Sequence, residues 1–193
     1  MQPPKWALEG GTRLDLKNFG TCFARAWAEL ESRFLKLECW QAYFEVEGNQ
    51  SQEAFNRGDV SKARELLRQE AEADQPLYEE VRQRGISYAR VRLVQEPLTP
   101  YLEYELMSYR IRAAMGENIE VVRCEPTIRL PNEQYFDFLL FDQRTALIHD
   151  YGEVGRQSGG WLSQDADAIA RLEVTANALR GTAMSLEQFV ADR

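Results

Sequence analysis

The chain has one histidine, His149, and three widely separated cysteines, Cys22, Cys39 and Cys124, with no CxxC pair. That poverty argues against a disulfide framework and against a Cys/His zinc site, and it leaves at most one imidazole for acid or base chemistry. No apolar run approaches the roughly 20 residues that cross a bilayer, and the N-terminus lacks a charged segment followed by an apolar core. A cytoplasmic location is therefore expected, with no membrane partner. Positive charge is also scarce: 23 Lys and Arg stand against 31 Asp and Glu, a net charge of -8. Such a surface repels phosphate backbones, so direct nucleic-acid binding is disfavoured and basic or apolar partners are favoured. There is no Gly-x-Ser-x-Gly elbow, no phosphate-cradling glycine loop and no dinucleotide fingerprint. No cofactor is expected.

What is present suits one globular domain. The 193 residues are 44% hydrophobic and 11% aromatic, enough to offset the entropy of ordering a single core. Pro3, Pro4, Gly10 and Gly11 suggest a flexible lead-in over residues 1–13, followed by one α+β domain over 14–193. Residues 14–85 read as mainly helical. Asp15 caps a stripe of Phe19, Phe23, Ala26, Trp27 and Leu30, and residues 34–43 alternate as a half-buried strand would. A short helix follows Gly48. Asp59 caps a second, with Val60, Ala63, Leu66, Leu67 and Ala71 inward, and Asp74-Gln75-Pro76 reads as the start of a third, closed by Gly85.

Residues 86–151 form the expected sheet core. Ile86 to Val94 alternates cleanly, Thr99 and Pro100 start a helix that Gly116 stops, and Asn118 to Cys124 reads as the next strand. Together they predict a parallel β-α-β crossover. Tyr135 to Asp142, apolar on both faces, and Thr145 to Tyr151 read as a hairpin joined by Gln143-Arg144. Glycines 152, 155, 159 and 160 read as a flexible loop, and residues 152–193 end in a helix from about Asp165 to Leu179 and a short one with a Ser185/Gln188 capping box. The expected architecture is a mixed central sheet of about four to five strands covered by N- and C-terminal helices. Trp6, Trp40 and Trp161 read either as interface anchors or as core-edge residues.

The candidate site residues all lie in the sheet core. Glu105 falls on the apolar stripe of the crossover helix, beside Leu102 and Tyr109, and a carboxylate there needs a cation or a proton. A salt bridge to Arg90 or Arg92 is the expected partner; a catalytic role is the alternative. Arg90 and Arg92 share a strand face, so they either grip a small anionic ligand, with Tyr109 in reach, or balance the chain's own carboxylates. A two-residue Gln143-Arg144 turn sets Asp137 opposite Asp150, a pair that would share a proton, meet an arginine or hold a metal. His149 reads as structural first and as an acid or base second.

The runs Pro97-Leu98-Thr99-Pro100-Tyr101-Leu102-Glu103-Tyr104-Glu105, Gly116-Glu117-Asn118-Ile119, Leu130-Pro131 and Asp137-Phe138-Leu139-Leu140-Phe141-Asp142 resemble a domain-of-unknown-function family of actinobacteria, found in Streptomyces and relatives. The resemblance covers about Leu14 to Val190, and the chain departs from it at residues 132–137, where other members often have a shorter link. Members tend to be encoded near helix-turn-helix regulators of the Xre type. The resemblance therefore implies a non-enzymatic regulatory or interaction protein with a helix-turn-helix partner. The alternative is a small-molecule enzyme or binding protein that uses Glu105, Asp137, Asp150 and His149, metal-dependent or not, with Arg90 and Arg92 recognising the substrate.

Overall fold

Capping residues set most helix starts in the computed structural model, which describes residues 3–44, 48–153 and 155–193. After α1 (Lys5–Leu8), Asp15 accepts from the Asn18 amide to begin α2 (Leu16–Ala28), and Asn49 begins α3 (Gln50–Asn56) in the same way. Asp59 begins α4 (Val60–Gln83), Thr99 begins α5 (Pro100–Ala114), and Asp165 begins α6 (Ala166–Arg180). The Ser185/Gln188 capping box forms as expected at the head of α7 (Leu186–Ala191). One boundary differs: α4 runs straight through Pro76 instead of breaking before it. Ala63, Leu67, Ala71, Tyr78 and Val81 form one buried stripe on both sides of the proline, and that shared packing outweighs the missing N–H.

Among the described residues one mixed sheet holds eight strands, against the four to five expected. They are β1 (Thr12–Asp15), β2 (Arg33–Glu38), β3 (Ser87–Gln95), β4 (Ile119–Cys124), β5 (Phe138–Phe141), β6 (Thr145–Asp150), β7 (Gly159–Ser163) and β8 (Met184–Ser185), in the order β1-β7-β6-β5-β2-β3-β4-β8. β2, β3 and β4 run parallel, so β3-α5-β4 is the expected crossover, and every other pairing is antiparallel. The five central strands are those expected; β1, β7 and β8 are the additions.

The lead-in is not loose. Met1 and Gln2 lie outside the described residues, but Ala7 of α1 is fully buried and β1 closes one sheet edge against β7. Of the glycines that read as a loop, Gly159 and Gly160 open β7, while Gly152 and Gly155 lie in turns before it. A Cβ on Gly160 would stand 2.1 Å from the Ile148 carbonyl oxygen and 2.6 Å from the Phe19 ring, so only glycine lets helix and strand approach this closely. Residues of alternate parity along the strands face two different layers. One face packs Leu35, Leu37, Val91, Phe138 and Ile148 with α6 residues such as Leu172 and Ala176. Trp6, Trp40 and Trp161 pack against this core, half-buried. The opposite face carries α2 at one end and α5 with α7 at the other.

The hairpin register is one residue away from that expected. The turn has three residues, Asp142-Gln143-Arg144, with Asp142 at φ 50° and Gln143 at φ 59°, and Phe141 pairs Thr145 while Phe138 pairs Ile148. Asp142 holds this left-handed turn without glycine because its carboxylate accepts from the amides of Glu31, Ser32 and Arg33. Those bonds, outweighing the effect of burial, lower its pKa to about 2. A one-residue slip exchanges strand faces, so Asp137 lies across from His149, whose amide donates to the Asp137 carbonyl at 3.0 Å, and the Asp137/Asp150 pair does not form.

Candidate functional site

The two ends of the second sheet face are apolar; its middle is charged. The register sets Lys36 beside Arg90 and Glu38 beside Arg92, and α5 lies over them with Glu105 and Tyr109 directed toward the strands. Between sheet and helices lies a cavity of about 700 Å³, lined by Lys36, Glu38, Arg90, Glu105, Tyr109 and His149 among others. A second lobe of about 330 Å³ adjoins it, walled by Phe19, Phe23, Trp27, Phe34 and Tyr88. Lys36, Arg90, His149 and Gln157 line both lobes and form the neck. The combined space is in the range of small-molecule sites.

The floor is a network of matched charges. Glu38, 4% exposed, receives Lys36 Nζ at 2.6 Å, Arg90 Nη1 at 2.9 Å and the Tyr109 hydroxyl at 2.9 Å. Burial alone would raise its pKa, but Arg90, Lys36 and Arg92 outweigh burial and hold the carboxyl well below the usual range. Arg90 also donates from Nε to Glu117 at 2.6 Å, and Glu117 receives the hydroxyls of Tyr78 and Tyr88. Arg92, with no exposed surface, pairs with Glu105 at 3.0 Å and donates to the Trp40 carbonyl at 2.5 Å.

Glu105 differs from Glu38. Burial raises its pKa above the ordinary 4.5, and nearby Glu38 adds to the rise against the opposing pull of Arg92. Tyr109 stands between the two, its hydroxyl 2.9 Å from an oxygen of each. A hydroxyl has one proton, so Tyr109 donates to one of the two carboxylates at a time or shares its proton between them, and Glu105 is the one whose affinity for a proton is raised.

Four of the expected residues, Arg90, Glu105, Tyr109 and His149, line the cavity together. The expected bridge from Glu105 to Arg92 is present, while Arg90 takes Glu38 and Glu117, so the two guanidinium groups balance the chain's own carboxylates rather than forming a free anion clamp. Asp137 is buried away from the cavity lining. It receives the Tyr43 hydroxyl at 2.5 Å and the Cys39 amide at 2.9 Å, and so fixes Tyr43 in the wall. Burial raises its pKa. Asp150 points elsewhere, bound to Arg13 at 2.6 Å and to the Gly152 amide, and so anchors the loop that brings Gln157 to the neck. Among the described residues no group of three or more His, Cys, Asp and Glu is placed to hold a metal ion.

Sequence reasoning missed Glu38, Lys36, Glu117 and the aromatic lobe. Lys36 and Glu38 alternate with Leu35, Leu37 and Cys39 as in a strand with one wet face, and nothing local says that a helix covers that face. Among the described residues, no helix is long and apolar enough to cross a membrane. No curated protein matches the chain. A family described as a domain of unknown function, DUF6879, matches residues 21–191, from the second turn of α2 to the end of α7. The match takes in the sheet core, α5 and most of the residues around both lobes, and the chain belongs to the DUF6879 family.

Proposed function

We propose that the protein is a small-molecule-binding protein that takes its ligand in the two-lobed cavity beneath α5. One observation carries the reading: the ionic groups on the cavity floor are already neutralised by one another, Glu38 by Lys36 and Arg90, Glu117 by Arg90 and Glu105 by Arg92. Burying so many charges is costly unless they are paired and hydrogen-bonded. A fully paired floor beside open space amounts to a rigid receptor, with its donors and acceptors fixed before a ligand arrives.

The regulatory role implied by the actinobacterial resemblance fits this reading as its output. In a cytoplasmic protein that works with an Xre-type helix-turn-helix regulator, ligand occupancy would be the signal and the regulator its reader. The net charge of -8 supports contact with a basic protein surface over contact with DNA. An enzymatic reading is favoured by one feature alone, the raised proton affinity of Glu105 beside Tyr109, which suits an acid donating to a bound molecule.

The test is to purify the wild type and Ser108→Trp from the same cells and compare them by native mass spectrometry. Ser108 lines the larger lobe, and an indole there takes up part of the space beneath α5. Recovery of a bound small molecule from the wild type only supports the proposal; identical spectra from the two proteins overturn it. A co-purifying molecule that the wild type converts over hours, and Glu105→Gln does not, moves the assignment to the enzyme.

A further inference from the structure

His149 has a donor that the protein does not use. The Gln157 amide nitrogen lies 3.0 Å from His149 Nδ1, and because an amide nitrogen can only donate, this contact is a hydrogen bond in the tautomer that carries the ring proton on Nε2. Nε2 is buried and has no hydrogen-bond partner among the described residues, although the residue is only 9% exposed. Phe19 and Tyr151 hold the ring at centroid distances of 4.8 and 5.2 Å, the latter nearly parallel at 10°, so the imidazole is fixed at the neck it lines. A buried donor without an acceptor costs free energy, and an incoming acceptor would recover it.

The surroundings define what brings that acceptor. The smaller lobe presents aromatic surfaces: Phe23 stacks on Trp27 at 11°, and Phe34 lies against Tyr88 with centroids 5.2 Å apart. Such walls suit a flat ring system through offset or edge contacts. Charge at the neck argues for a neutral head group. Lys36 is held by Glu38 and Arg90 by Glu38 and Glu117, so an anion entering there would face two buried carboxylates that already occupy both cations.

We infer that the smaller lobe takes a flat, uncharged aromatic molecule bearing a hydrogen-bond acceptor, a carbonyl or ring nitrogen, which accepts the Nε2–H of His149. The inference rests on the small-molecule reading of the cavity and narrows it to a ligand class. It also replaces the expected anion with a neutral acceptor.

Three probes of one shape separate the alternatives: 2-acetylnaphthalene has a neutral acceptor, 2-ethylnaphthalene has none, and 2-naphthoate is an anion. Because the chain has a single histidine, long-range 1H–15N correlations of 15N-labelled protein report the His149 imidazole without ambiguity. The expected spectrum at pH 7 is the neutral Nε2–H form, and 2-acetylnaphthalene should shift it while binding about tenfold more tightly than 2-ethylnaphthalene. His149→Phe keeps a ring between Phe19 and Tyr151 but removes the donor, and should abolish that preference while leaving 2-ethylnaphthalene binding in place. Equal affinity of the acetyl and ethyl probes for the wild type, or tightest binding by 2-naphthoate, overturns the inference. An Nδ1–H or charged imidazole in the wild type overturns it without recourse to any variant. If no probe binds while Ser108→Trp still excludes a co-purifying molecule, this inference fails and the broader cavity reading stands.

Discussion

Acidification should weaken the fold through one residue. His149 is buried against Phe19 and Tyr151, and burial, aided by the positive charge of Lys36 and only partly offset by Glu38, lowers its pKa from the ordinary 6.5 to about 3. Between those values the unfolded chain binds a proton that the native chain refuses. Stability therefore falls as pH falls, by about 1.4 kcal/mol for each pH unit below 6.5. From pH 7 to pH 5 the loss from His149 is about 2 kcal/mol, which for a domain of this size lowers Tm by about 4–8 °C. Glu105 acts in the opposite sense, because its raised pKa favours the native state as protons are added. The stabilisation of Glu38, whose pKa is lowered, is lost only below the ordinary carboxylate range and so lies outside this window. Urea unfolding at pH 7, 6 and 5 of the wild type and His149→Phe isolates the imidazole, since both proteins keep the two glutamates. The wild type should lose about 2 kcal/mol more than the variant over that range. Parallel pH dependences would show that His149 titrates normally in the native state and would refute the burial argument.

Two further substitutions test the packing and the network. Gly160→Ala should destabilise by about 3 kcal/mol in chemical denaturation, because the new methyl meets the Ile148 carbonyl and the Phe19 ring; Gly20→Ala, on helix α2 with nothing within 4 Å, should be neutral or stabilise by up to about 1 kcal/mol. Arg92→Met leaves Glu105 buried without its cation and should cost about 3–5 kcal/mol, whereas Arg92→Met with Glu105→Leu should recover most of that loss; strictly additive effects would show that the two side chains do not act as a pair.

The parts of the fold legible in the sequence are those whose determinants are local. Thr99, Pro100 and Gly116 bound α5, and the alternation from Ser87 to Val94 marks β3, so the crossover unit could be read directly. β7 could not. Gly159 and Gly160 look like a flexible loop until one knows that Leu14 and Phe19, about 145 residues earlier in the chain, occupy the space where side chains would stand. The hairpin register failed for the same reason, since the turn is held by an Asp142 carboxylate that bonds the amides of residues 31–33. Within the site, Glu105 was visible because a carboxylate interrupts an apolar helical stripe. Glu38 was not, because a charged residue on an alternating strand reads as solvated unless the covering helix is known. Phe19, Phe23 and Trp27 were legible as an inward stripe, but nothing in their spacing distinguishes a filled core from the wall of a cavity.

The pairing of β1 with β7 has a consequence for how the chain is made. Thr12 meets Leu162 and Asp15 meets Gly159, so β1 cannot pair until the chain as far as β7 has followed it from the ribosome. β2, β3 and β4, with the crossover between β3 and β4, can assemble earlier, from residues 33–124. Contacts of such long sequence separation form slowly because loop-closure entropy must be overcome first. During synthesis the α2 aromatics, Phe19, Phe23 and Trp27, must therefore wait without their strand partners from β5, β6 and β7, and this interval is when the nascent protein most needs protection from aggregation.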